Sequence, residues 1–162
     1  MRLASNARKV TISRFDSLCL RLDAMLEIPG KACGSCYLCC KVLEIEEFKK
    51  KAGKLCDHCI HEGGCGIYMK RPEVCRDYQC RWKEERSLSA QLRPDRVGTL
   101  LMDDPDSDEY HAVCDPEKPF MWRNPLVFKH LVAEAKSGRT VLAKAGLRAW
   151  RIFPDGHWQE TA

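Results

Sequence analysis

The sequence predicts an α+β protein built from two unlike stretches, and three observations carry that expectation. Nine of the eleven cysteines fall between residues 33 and 80, in a stretch with several glycines and little hydrophobic periodicity. From residue 95 onward only Cys114 remains, and apolar runs of strand length take over. Among those runs lies one segment with the caps and period of a helix. At 162 residues the chain is most simply one domain. A chain of that size buries roughly 70% of its unfolded surface and can fold without crosslinks. The composition change near residues 86–94 marks a boundary between regions that could share a core.

Residues 1–29 form the first stretch. Arg2, Arg8, Lys9 and Arg14 bring four positive charges and no acid into the first fourteen residues, which equals the formal net charge of +4. Such a basic end is expected to be a solvated tail, although its Arg/Ser-rich, acid-free makeup also has something of a transit peptide. "MRLASNARKVTIS" lacks the apolar centre of a secretory signal. Phe15, Leu18, Leu22, Met25 and Leu26 then recur at helical spacing, so a helix is expected over 13–27, capped by Ser13 and ended by "IPG". Cys19 within it is expected to pack as a small apolar residue.

Residues 30–85 are expected to be a loop-rich metal-binding region. One short helix is predicted around "EIEEFKKK" and another from Pro72, whose missing N–H suits a first helical position. Residues 95–162 should form the α+β part. "RVGTLLM" and "YHAVC" are predicted strands joined by "DDPDSDE". "NPLVFKHLVAEAKSG" is a predicted helix with Asn124 as N-cap, Pro125 first and Gly138 as stop. "TVLAKAG" and "LRAWRIF" follow as strands, with "PDG" as a terminal turn. The expected product is a small antiparallel sheet with one or two packed helices.

Composition narrows function. With 44% hydrophobic and 31% charged residues the chain fits a globular protein, and no apolar run approaches the ~20 residues of a membrane span. Scattered arginines without a patch argue against nucleic acid. A cytoplasmic setting is expected, and there dense cysteines signal metal or redox chemistry before crosslinks.

The nine thiols of residues 33–80 are Cys33, Cys36, Cys39, Cys40, Cys56, Cys59, Cys65, Cys75 and Cys80. Adjacent Cys39 and Cys40 are awkward disulfide partners, and nine is odd. Metal explains the pattern better. Cys33-x2-Cys36-x2-Cys39 and Cys56-x2-Cys59 have the two-residue gap that lets a turning backbone aim successive sulfurs at one point. Two four-thiolate centres would use eight and leave one; a single centre would leave five. On one continuous helix Cys75 and Cys80 would lie about 140° apart, so either the helix breaks before Cys80 or the two sulfurs serve different centres. The first run has ferredoxin spacing, with a fourth thiol from elsewhere, but Cys40 follows directly and the usual Cys-Pro ending is missing. The paired C-x2-C elements equally suit tetrahedral zinc, where His58 or His61 could replace a thiol. Zinc and an iron–sulfur cluster both stay open.

"CGSCYLCC", "CDHC", "GCGIYMKRPEVC" and "YQCRW" resemble the CxxCxxCC family, the YkgJ-like cysteine-cluster proteins described as zinc- or iron-chelating domains. The resemblance covers residues 33–82, and "LRPDRVG" with "FPDGHW" looks like one bacterial branch. It implies chelation by Cys33, Cys36, Cys39, Cys40, Cys65 and Cys75, with Cys56, Cys59 and Cys80 from the branch pattern. It implies no assigned activity for most members. A related family enzyme methylates flagellin lysines, but this chain is far shorter. Arg71 could neutralise a thiolate-rich centre or make a surface ion pair. Tyr68, Tyr78 and Trp82 are expected to cover the site.

Other patterns carry less. Counting from Asp104, "DDPDSDE" lacks the glycine and glutamate of a calcium loop. His111 and Cys114 should point to opposite faces of a strand. His130 should be structural, and Trp150 should pack on the sheet or line a modest binding face. No P-loop, dinucleotide fingerprint or nucleophile elbow occurs. Whether the chain is an enzyme stays open, but hydrolysis at an open metal position lacks an evident base. Two functions are expected to compete. One is a protein whose centre carries electrons or supports a partner enzyme. The other is an interaction module stabilised by structural zinc.

Overall fold

A computed structural model describes residues 28–60, 63–104 and 106–161. The helix expected over 13–27, Cys19, the basic tail and His61 lie outside the described residues.

The α+β expectation holds. Helix α1 (Leu38–Val42) is followed by a single 3-10 turn at Glu46–Phe48 and by a hairpin of β1 (Cys59–Ile60) and β2 (Gly64–Cys65). Next come α2 (Glu73–Asp77), α3 (Arg81–Glu84) and α4 (Pro94–Val97). The sheet half consists of β3 (Thr99–Asp103), β4 (Glu109–Cys114), α5 (Pro125–Lys136), β5 (Thr140–Ala145), β6 (Arg148–Ile152) and β7 (Trp158–Thr161). No helix among the described residues is long and apolar enough to cross a membrane.

The five strands lie in the order β3-β4-β5-β6-β7. The sheet is not wholly antiparallel as expected. β4 and β5 run parallel, with Glu109 opposite Thr140 and Val113 opposite Lys144. The reason is α5, which carries the chain back between them, since a parallel pair needs a long crossover rather than a tight turn. As predicted, the Asn124 side chain accepts a 3.0 Å hydrogen bond from the Leu126 N–H, Pro125 opens the helix, and Gly138 follows it with φ +100°. Val127, Leu131 and Ala135, four apart, are the buried stripe. β7 is a strand that the sequence did not suggest; the "PDG" turn leads into it, and Ile152 pairs with Trp158.

Three boundaries move. "RVG" belongs to α4 and its stop, Gly98 at φ +68°, so the strand starts at Thr99. Pro72 is the residue before α2, one position earlier than expected. "EIEEFKKK" makes only the 3-10 turn because Lys49 takes φ 50° and Lys50 turns inward, where its ammonium donates to the Leu43 and Lys41 carbonyls.

Strand β3 joins the halves. Its side chains alternate between faces. Leu101 enters the main core with Trp122, Val127 and Trp150, whereas Leu100 joins Leu38 and Val42 of α1 on the other side. Cys36, Cys39, Tyr78 and Cys80 pack against that smaller cluster. The cysteine region therefore covers one face of β3. Buried Lys31 pins its start by donating to the Leu88 carbonyl at 2.7 Å and to that of Glu85.

Candidate metal centre

The site is assembled from loops that converge on α1. Leu38 and Val42, one helical turn apart, hold α1 on β3 and leave Cys39 and Cys40 on successive sides of the helix, 100° apart. Before α1 the chain turns at Gly34 (φ +52°), with the Cys36 N–H bonded to the Cys33 carbonyl at 2.8 Å. After it, the Cys56 N–H donates to the Cys40 carbonyl at 3.0 Å, which brings the second C-x2-C turn alongside. The β1–β2 hairpin sets Cys59 opposite Cys65. Gly64 (φ +80°) fits only as glycine, because a Cβ there would stand 2.3 Å from the Gly34 carbonyl oxygen. α2 brings in Cys75. The helix then breaks, and Cys80 stands at the start of α3.

These segments enclose a cavity of about 420 Å³. Cys33, Cys36, Cys39, Cys40, Cys56, Cys65 and Cys75 contribute to its wall, with Phe48, Ile67, Tyr68, Val74, Tyr78 and Met102 among its other members. Cys59 and Cys80 stand behind that wall, each beside thiols that form it. Each of the ten described cysteines is free. No three of their sulfurs draw within 4.8 Å of one another.

The electrostatics are those of crowded, partly buried thiols. The Cys39 thiol hydrogen-bonds to that of Cys40 and lowers the Cys40 pKa to about 7, helped by Lys50, the Cys59 thiol and Arg71. The same bond raises Cys39, and burial raises it further. Burial and neighbouring thiols lift Cys59 and Cys80 each to about 11. A buried thiol in such company keeps its proton until a metal displaces it.

Arg71 lies in the cavity wall, stacked at 3.7 Å on Tyr68. Its Nε is buried without a hydrogen-bond partner, and no carboxylate among the described residues pairs with it. Of the two roles expected for Arg71, a surface ion pair is not formed among the described residues, and the geometry agrees with a cation facing thiols. His58 lines the cavity and packs its ring on Phe48 at 4.8 Å. Tyr68 and Tyr78 cover the site as expected, but Trp82 does not. It belongs to the main core, and its indole N–H donates to the Ser89 carbonyl at 3.1 Å.

The sequence did not point to a second group. Asp104, Glu109 and His111 place their donor atoms within 4.8 Å of one another and could hold a cation. His111 Nε2 meets Glu109 at 2.9 Å, while its Nδ1 already has the Lys144 ammonium at 3.4 Å. The lysine supplies the positive charge that the carboxylates require. The grouping arises because "DDPDSDE" folds Asp104 back over Glu109, and spacing alone does not show that. Cys114 is buried beside the Thr99 hydroxyl at 3.5 Å and makes no pair with His111. His130 is structural, its Nε2 2.7 Å from the Tyr110 hydroxyl, and Trp150 is core.

No family model matches the chain, and no curated protein or solved structure is significantly similar to it.

Proposed function

We propose that the protein binds an iron–sulfur cluster through the thiols of residues 33–80 and serves as an electron carrier or as support for a partner enzyme. One observation carries this reading: a 420 Å³ cavity with seven thiols in its wall. A single zinc ion held by four thiolates needs sulfurs about 3.8 Å apart and no void, given Zn–S bonds of ~2.3 Å. The spread of thiols around a void suits a cluster, in which each cysteine binds a different iron. Lys50 and Arg71, both near Cys40, would offset the negative charge of such a centre. When bound, the cluster supplies one-electron chemistry. The protein's own part is to exclude water with Phe48, Tyr78 and Met102 and to hold the sulfurs in place. Free thiols at all ten described cysteines suit a reducing compartment such as the cytoplasm. The motif resemblance to the CxxCxxCC family supports metal chelation, by zinc and by iron alike.

A second reading, a zinc-stabilised interaction module, is favoured by the tight Cys56–Cys59 turn, closed by a 2.9 Å bond from the Cys59 N–H to the Cys56 carbonyl. Purification without oxygen, followed by elemental analysis and a visible spectrum, separates the two. Brown protein with iron and acid-labile sulfide supports the cluster. Colourless protein with stoichiometric zinc supports the module, and protein with neither sinks both. Cys36→Ser and Cys39→Ser should each lower metal content; full stoichiometry in both variants would remove these thiols from the ligand set.

A further inference from the structure

We propose that the thiols form two adjoining centres, one held by Cys33, Cys36, Cys39 and Cys80, the other drawn from Cys40, Cys56, Cys59, Cys65 and Cys75. This rests on the metal-binding reading above and adds to it the division of the ligands.

The division begins on α1. With Leu38 and Val42 fixed against Leu100, Cys39 shares the small cluster beside β3 with Cys36 and Cys80, and Cys40 does not. Cys40 faces the opposite loops, where its carbonyl holds the Cys56 N–H and its thiol, bonded also to that of Cys39 at the boundary between the sets, meets that of Cys59. The break after α2 completes the separation. Tyr78 leaves the helix with extended backbone, and Cys80 reappears on the β3 side, where its closest charged neighbours include Cys33 and Cys36. Cys75, left on α2, has Cys40, Cys56 and Cys65 as its neighbours instead.

Positive charge lies beside both sets, Lys50 being near Cys39 as well. The Arg93 guanidinium donates to the Cys33 carbonyl and the Ser35 hydroxyl, each at 3.0 Å, and Lys31 lies near Cys80. Lys50 and Arg71 lie by the other group. The first set is then a C-x2-C-x2-C run completed by one remote thiol, the ligand pattern of a four-thiolate cluster. The second set holds five, one beyond what four-thiolate ligation needs.

The test is metal and sulfide content per chain, with the electronic absorption and paramagnetic resonance spectra, of full-length protein reconstituted anaerobically with iron and sulfide. Two centres per chain are expected. Cys80→Ser and the double variant Cys65→Ser/Cys75→Ser, which leaves the second set only three thiols, should each lose about half of the metal, and their residual spectra should differ and sum to that of the parent. Cys80 is packed against the core, so Cys33→Ser, on the outer loop, provides a second variant of the first set and should match it. A parent with one centre, or variants of both sets that lose all metal together, would overturn the division while leaving metal binding intact. A parent that takes up no metal would instead sink the metal-binding reading itself.

Discussion

The two halves of the molecule are held together by different physics. In the sheet half, Leu101, Tyr110, Ala112, Trp122, Val127 and Trp150 are wholly buried, and a twelve-residue helix closes over the strands. The cysteine half has helices of four or five residues and a hairpin with two residues per strand. Isolated helices below ~12 residues and two-stranded hairpins are marginal in water. Its apolar cover is thin too, with Met69, Ile60 and Val74 exposed. The sheet is ordered by burial, whereas the cysteine half has the positions for order but few of the contacts. Bonds to a metal would supply what is missing.

The comparison is sharpest when the metal is removed. Structural zinc contributes on the order of 10–16 kcal/mol of apparent binding free energy to small domains. Chelation should therefore abolish amide-exchange protection in residues 33–80 and leave β4, β5 and β6 protected. Equal loss in both halves would erase the distinction. Trp150→Ala should do the reverse. It empties core beside Trp122, 5.8 Å away between ring centroids, and should cost about 3–5 kcal/mol in denaturant titration with metal content unchanged. Leu100→Ala addresses the seam. A loss of about 2–4 kcal/mol is expected, together with weaker metal retention, because Leu38 and Val42 of α1 rest on this side chain.

The smallest effect is acidic. His130 is half-buried, and the desolvation lowers its pKa below the ordinary 6.5; as a neutral ring it can accept from the Tyr110 hydroxyl. The unfolded chain binds this proton more readily. The contribution is thus present above about pH 6.5 and is lost as pH falls through the lower folded value. Urea midpoints of the sheet half should drop on acidification, and Tyr110→Phe should alter the size of that drop. A flat pH profile would show that the histidine does not titrate with unfolding.

The sequence disclosed most where local chemistry sets the answer. Asn124, Pro125 and Gly138 bracket the one long helix among the described residues, and alternation in "TVLAKA" and "RAWRI" marks two strands. The parallel pairing of β4 with β5 was hidden because it depends on the route α5 takes, not on either strand. β7 was hidden because all four of its residues are exposed and so carry no apolar signal. At the site, spacing singled out the nine thiols but could not sort them. Sorting depends on which side of α1 meets Leu100, a contact across 62 residues of sequence from Leu38. Of the two alternatives for Cys75 and Cys80, the structure shows the first: the helix breaks before Cys80.

Gly64 and Gly34 meet main chain to main chain, with room for hydrogen and nothing larger. A single methyl group at position 64 would therefore act as a wedge, driving the outer loop and the hairpin apart from their point of contact. Cys33 and Cys65, each one residue from that contact, would be carried along, so the calibre of the whole chamber depends on the side chain missing at position 64.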